Sequence, residues 1–186
     1  MKEEENVLRI LKEARKAINE NNPSEIKKLS DQTIHTATIS QDPDNIIVAV
    51  LVYSLAKIVE REHYKEMPGW DNFYSEFLKY LDSAILHLEK NDIDKYRNDV
   101  GKIRNVMNKI SSNLGEYIRD VFRKAKINKA FKIYEHGLSE EKTAHLLGVS
   151  LWDLAGYIGQ STVSEAKVNE SMPVKNRIKI AEEIFG

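Results

Sequence analysis

Asp42-Pro43-Asp44-Asn45-Ile46-Ile47-Val48-Ala49-Val50-Leu51-Val52-Tyr53-Ser54-Leu55-Ala56-Lys57-Ile58-Val59-Glu60 is the stretch from which the fold is read. Its opening puts an Asx side chain ahead of a first-turn proline and an acid. The Asx oxygen can accept from a free amide, proline is preset for the first turn, and Asp44 meets the positive end of the dipole. From Ile46 onward the stretch is apolar almost all round, relieved only by Tyr53, Ser54 and Lys57. An amphipathic helix hides one face, whereas this one has to be surrounded, which predicts a helix at the centre of a bundle.

The segments on either side supply the surrounding helices. Val7, Leu8, Leu11, Ala14 and Ile18 recur at three- and four-residue spacings over Glu4 to Glu20, which ends at Asn21-Asn22-Pro23. A second helix is expected with Ser24 as cap and Pro23 just outside it. It runs through Ile26 and Leu29 into Ser30 to Ser40, whose threonines would also tolerate an extended form. Beyond the Pro68-Gly69 break, Trp70, Phe73, Tyr74, Phe77, Leu81 and Leu88 mark a fourth helix, and helical spacing makes that aromatic cluster core. Asn91-Asp92 opens a fifth through Tyr96, Val100, Ile103 and Met107, and a sixth spans about Leu114 to His136 and ends at Gly137. Glu89-Lys90-Asn91-Asp92 echoes Glu20-Asn21-Asn22-Pro23, each after an Ala-Ile pair, but one echo is too short to establish a repeat. Elements then shorten: two brief helices in 139–160, a polar connection Ser161 to Met172, and a docked last helix from Pro173 to Phe185. The expected fold class is therefore all-α, a helical bundle over 1–136 followed by a C-terminal region over 137–186.

Four prolines and eight glycines in 186 residues leave little for a many-turned β architecture. The absence of cysteine excludes disulfide frameworks, thiolate zinc sites, iron–sulfur clusters and cysteine nucleophiles. The N-terminus is charged and the longest apolar run, Ile46 to Val52, is far shorter than a bilayer span, so no membrane partner and a cytoplasmic location are expected.

Residues 139–160, Ser-Glu-Glu-Lys-Thr-Ala-His-Leu-Leu-Gly-Val-Ser-Leu-Trp-Asp-Leu-Ala-Gly-Tyr-Ile-Gly-Gln, resemble the helix-turn-helix of the repressor and sigma-factor type. Ala144 matches the small residue where the helices cross, Gly148 the turn glycine, Val149 the core plug and Ser150 the cap of the second helix. Leu154 and Tyr157 or Ile158 match the residues that fix that helix to the first. A side chain larger than Ala144 would push the helices apart, and a β-carbon at Gly148 would oppose a left-handed turn. The whole chain also resembles a group of small uncharacterised archaeal helical proteins with this kind of C-terminal segment. Leu29 to His35, Ser54 to Arg61 and Tyr134 to Gly137 carry that likeness, which implies a fold and no assigned activity.

The resemblance does not bring the usual DNA-reading chemistry with it. Outward positions of the second helix come from Leu151, Trp152, Asp153, Ala155, Gly156 and Gln160, a poor donor set for base edges, and residues 137–172 carry a net charge of −3. The positive charge lies upstream: Arg119, Arg123, Lys124, Lys126, Lys129 and Lys132 against Asp120 alone give +5 over 118–132. Arg119, Arg123 and Lys126, at i, i+4 and i+7, share one helix face that can follow a phosphate backbone. The bland reading is the solvated side of a packed helix.

These features favour a nucleic-acid-associated regulator, binding DNA or RNA through the six cations and Gln160. The rival is a protein-interaction or self-association module presenting Leu151, Trp152 and Tyr157. An enzyme is not expected, and neither is a cofactor or a metal. Glu60-Arg61-Glu62-His63 is a single Glu-x-x-His where a di-iron bundle needs two, and the chain contains no phosphate-cradling glycine loop, Gly-x-Ser-x-Gly elbow or His-Glu-x-x-His. The Arg-to-His spacing of helical RNases is also missing, because Lys129 to His136 has the wrong cation. Asp31 and His35, four apart among threonines, form the most plausible polar site of the bundle, or else a local hydrogen bond.

Overall fold

Asp42 opens the central helix as its sequence predicts, its carboxylate accepting from the Asp44 amide at 2.9 Å with Pro43 in the first turn. The computed structural model describes residues 3–110 and 112–165, the side chains of His35, Ser40, Asn108 and 162–165 excepted. Among the described residues the chain is all-helical: α1 (Glu4–Asn19), α2 (Pro23–Ser40), α3 (Pro43–Val59), α4 (Trp70–Glu89), α5 (Ile93–Lys109), α6 (Asn113–Glu135), α7 (Glu140–Leu147) and α8 (Leu151–Glu165). A single 3-10 turn, Glu62–Glu66, links α3 to α4.

The burden of covering α3 falls on α1, α2, α6 and α7, all of which pack against it. Val48, Ala49, Val52, Leu55 and Ile58 are fully inside. One apolar core continues from Val7 of α1 to Leu154 of α8, so α7 and α8 bury side chains in common with the bundle.

Helix α2 stays helical through its threonine-rich half because each buried hydroxyl finds a carbonyl. Thr33 donates to Ser30 at 2.6 Å and Thr38 to Ile34 at 2.8 Å, while Ser30 reaches across to the Ala49 carbonyl of α3 at 2.7 Å. The cap of α2 differs from expectation: Asn22, not Ser24, accepts the Glu25 amide at 3.1 Å, and Pro23 lies inside the first turn. Proline there forfeits only an amide that has no partner in the helix anyway.

The hairpins α1–α2 and α4–α5 turn alike. Asn21 and Asn91 are left-handed, with φ of 49° and 56°, and the next residues, Asn22 and Asp92, cap the following helices. This pairs residue 21 with 91, a register in which the two Ala-Ile pairs do not align. The likeness lies in the turn chemistry.

At the other end, Ser139 caps α7 by accepting the Lys142 amide at 3.3 Å, and Gly148 closes it with φ 59°. Ser150 accepts the Asp153 amide at 3.0 Å and starts α8. Helix α8 runs on to Glu165, through part of what the sequence predicts as a polar connection. The last helix expected over 173–185 lies outside the described residues.

Two glycines separate close packing from propensity. A β-carbon on Gly115 would stand 2.1 Å from the Ile110 carbonyl oxygen, whereas one on Gly101, on the exposed side of α5, would meet nothing within 4 Å. Gly115→Ala should destabilise the fold by about 1–3 kcal/mol. Gly101→Ala should stabilise it by about 0.5–1 kcal/mol. Urea midpoints with unchanged m values check both.

Candidate functional site

On a helix turning about 100° per residue, Arg119, Arg123 and Lys126 fall within about 60° of one another. All three line a groove of about 1040 Å³. Its floor comes from α3 (Ile46, Ile47, Val50, Leu51), α5 (Ile103, Met107) and α6 (Phe122, Ile127). Helix α5 adds Arg97 and Arg104 to the rim, and the α7–α8 turn closes one side through Leu147, Val149, Ser150 and Asp153.

The rim cations are in different states. Arg97 pairs with the buried Asp44 at 2.8 Å, Arg119 donates to the Ile110 carbonyl at 3.1 Å, and Arg123 reaches Asp120 at 3.0 Å. Arg104 and Lys126 have no acid within ion-pair distance among the described residues. Tyr96, only 1% exposed, also lines the groove, and its hydroxyl has no hydrogen-bond partner among the described residues. Burial, with the Asp44 and Asp42 charges nearby, pushes that hydroxyl well above the ordinary tyrosine range. An unpaired buried hydroxyl costs about 1–3 kcal/mol.

The other three cations of α6 point elsewhere. Lys124 pairs with Asp120 at 2.7 Å. Lys129 is a correction to the sequence reading: its side chain is 0% exposed, so it cannot serve a phosphate. Its ammonium meets Asp31 at 2.9 Å and lies 4.3 Å from the centre of the Tyr53 ring. Lys132 joins the same Asp31 oxygen at 2.8 Å. Burial pushes the Lys129 ammonium down to about 8, against the opposing pull of Asp31. Burial alone would raise the Asp31 carboxyl, but hydrogen bonds from Lys132 and Lys129 carry it below the usual carboxylate range. Asp31 is therefore a clamp between α2 and α6. His35 is also on α2, but its side chain lies outside the described residues.

On α8, Leu154 is buried, whereas Trp152 is 89% exposed and Leu151 46% exposed. Tyr157 is half-buried, accepting from the Asn128 amide at 3.0 Å with its ring edge-on to Phe131, so it anchors α8 to α6 and contributes little free surface. Gln160 is exposed and does not line the groove.

A polar cluster that the sequence reading missed joins α4 to α5. The buried Asp99 accepts from Ser83 at 2.5 Å, His87 at 2.7 Å and Lys102 at 2.8 Å. Burial would raise its carboxyl, and the donors, Lys102 foremost, lower it below the ordinary value. Serine and histidine both point at the same aspartate oxygen, which makes a structural hub; the hydroxyl–imidazole contact of a nucleophilic relay is not among these bonds. Glu60 is exposed and paired with Lys57 at 2.7 Å, while exposed His63 packs edge-on to Tyr64. No group of three or more His, Asp or Glu that could hold a metal ion occurs among the described residues. No helix among them is long and apolar enough to cross a membrane.

No family model, no curated protein and no solved structure matches this chain.

The clamp separates two substitutions. Asp31→Ala leaves the Lys129 charge buried without its carboxylate and should cost about 3 kcal/mol in urea unfolding, whereas Lys129→Met removes the charge and should cost under about 1.5 kcal/mol. The Lys129 ammonium titrates near 8 when folded, below its ordinary 10.5, so between these values the unfolded chain binds more protons. Its contribution to stability therefore rises with pH through that window, and wild type should gain on Lys129→Met between the two pH values.

Proposed function

We propose that the chain is a non-catalytic, cytoplasmic, nucleic-acid-associated regulator in which residues 139–160 act as a helix-turn-helix scaffold and the α6 cations contact phosphate. The observation that carries this reading is that Arg119, Arg123 and Lys126 share one groove with Ser150 and Asp153 at the start of α8. Gly148 in its left-handed turn, with Ala144 and Leu154 inside, supports the helix-turn-helix part. Arg97 and Arg104 extend the cationic rim along α5. Such contacts supply affinity and register, and the few donors on α8 favour weak sequence selectivity.

Mobility shifts of duplex DNA and of RNA across a salt series test it. Three phosphate contacts give a slope of log K against log salt of about −2 to −3. Arg119→Gln, Arg123→Gln or Lys126→Gln should each shallow it by about 1, whereas Lys129→Met should leave it unchanged. No salt-dependent binding to either nucleic acid ends the reading.

A second reading rests on Trp152, an indole 89% exposed beside the half-exposed Leu151. An aromatic presented in this way suits a protein contact or self-association. Light scattering of the wild type should then report an oligomer that Trp152→Ala returns to monomer. A wild-type monomer that also retains no partner through Trp152 removes this reading.

A further inference from the structure

The nucleic-acid reading uses the groove's rim and leaves its floor unexplained. Phosphate contacts need cations on a surface, not a concavity of about 1040 Å³ floored by Val50, Leu51, Ile103, Met107 and Phe122. Ile47, 45% exposed on α3, stands in the same lining, so part of the central helix's apolar surface is left open to this space. Concave, mostly apolar sites with a few convergent polar groups are the usual form of a small-molecule site, and this groove has their size.

The polar groups specify the ligand's head. Arg104 and Lys126, from α5 and α6, lack acidic partners among the described residues, and Arg119 and Arg123 stand on the same rim. Asp44 is already matched to Arg97 at 2.8 Å, so its charge does not oppose an anion. Asp153 is held by Ser150 at 2.8 Å in the first turn of α8. Tyr96 adds a buried hydroxyl with nothing to donate to among the described residues, in the wall of the same groove. A carboxylate oxygen could accept from it.

We infer that this groove binds one single-chain amphiphile with an anionic head, a long-chain carboxylate, whose apolar tail lies along α3 and whose head meets Arg104 and Lys126. Each part matches one chemical feature of the ligand: the apolar floor takes the tail, and the unpaired cations, with the Tyr96 hydroxyl, take the carboxylate. The inference does not depend on nucleic-acid binding.

The test titrates the full-length protein, without nucleic acid, with the fluorescent long-chain carboxylate cis-parinarate. Unlabelled competitors, kept below micelle formation, are then added: dodecanoate, acetate, and dodecyltrimethylammonium, which has the same tail and the opposite charge. The expected result is saturable binding at one per chain, displaced by dodecanoate and not by acetate or the cationic amphiphile. Arg104→Gln/Lys126→Gln should weaken binding at least tenfold, and Ile47→Trp, which fills the open floor, should abolish it. Arg104 and Ile47 are exposed and Lys126 is half-buried, and circular dichroism should show wild-type helix content for both variants. Non-saturating uptake, equal displacement by dodecyltrimethylammonium, or unchanged affinity in both variants overturns the inference. No binding overturns it as well, whether light scattering finds the protein a monomer or a dimer. A carboxylate seen only through added anionic vesicles, and never free in solution, assigns the rim to a lipid surface and likewise overturns it.

Discussion

Helix α3 is apolar on almost every side, and the rest of the architecture answers that constraint. Each residue removed from water there is worth on the order of 1.5–3 kcal/mol when it is a Val, Leu or Ile, but only if another helix supplies the cover. Four helices do so, α2 and α6 foremost. That cover is incomplete around Ile47, which is 45% exposed, and the buried Ile46, Val50 and Leu51 line the same groove beside it. A helix with a single apolar stripe would have had no surface left to floor a groove.

The same geometry resolves the basic stretch of α6. A run with a net of +5 reads along the sequence as one patch. Around the helix it is several. Lys129 and Lys132 are rotated by about 80° and 140° from Arg119, which brings them to α2, and Lys124 turns away on the opposite side. Three cations are left for the groove, where α5 adds two that are distant in sequence. The overall charge of −1 therefore describes no surface on the molecule.

Capping and periodicity are local, and they were legible. Asp42, Asp92 and Ser150 all cap as their sequence contexts suggest, and the apolar spacings mark most of the core. Ser24 failed as a cap because Asn22, two residues earlier, has the same chemistry and a better position before the proline. The helix extending past Ser161 was missed because no proline or glycine marks its end, only polar residues that a helix tolerates. Lys129 did leave a signal. Ile118, Phe122, Ala125 and Ile133 form the buried stripe of α6, and Lys129 occupies the next place in it. A lysine in an apolar stripe calls for a buried carboxylate, and Asp31, lying among threonines on α2, was the available one. Arg97, Arg104 and the Asp99 cluster left no comparable trace, because their roles exist only once α5 has docked on its neighbours.

The acidic character of the C-terminal segment then has a structural source. Glu140 and Glu141 lie in the first turn of α7 and Asp153 in the first turn of α8, where carboxylates favour helix initiation through the dipole and the free amides. Asp153 also receives the Ser150 hydroxyl, so cap and acid hold each other in place. Three acids of the −3 segment are thus accounted for by starting α7 and α8, and α7, with 8 residues, needs such help most. They do not form a surface selected to repel phosphate. The negative charge at the starts of α7 and α8 and the positive charge on the groove's rim answer separate demands, and the second is carried by α5 and α6.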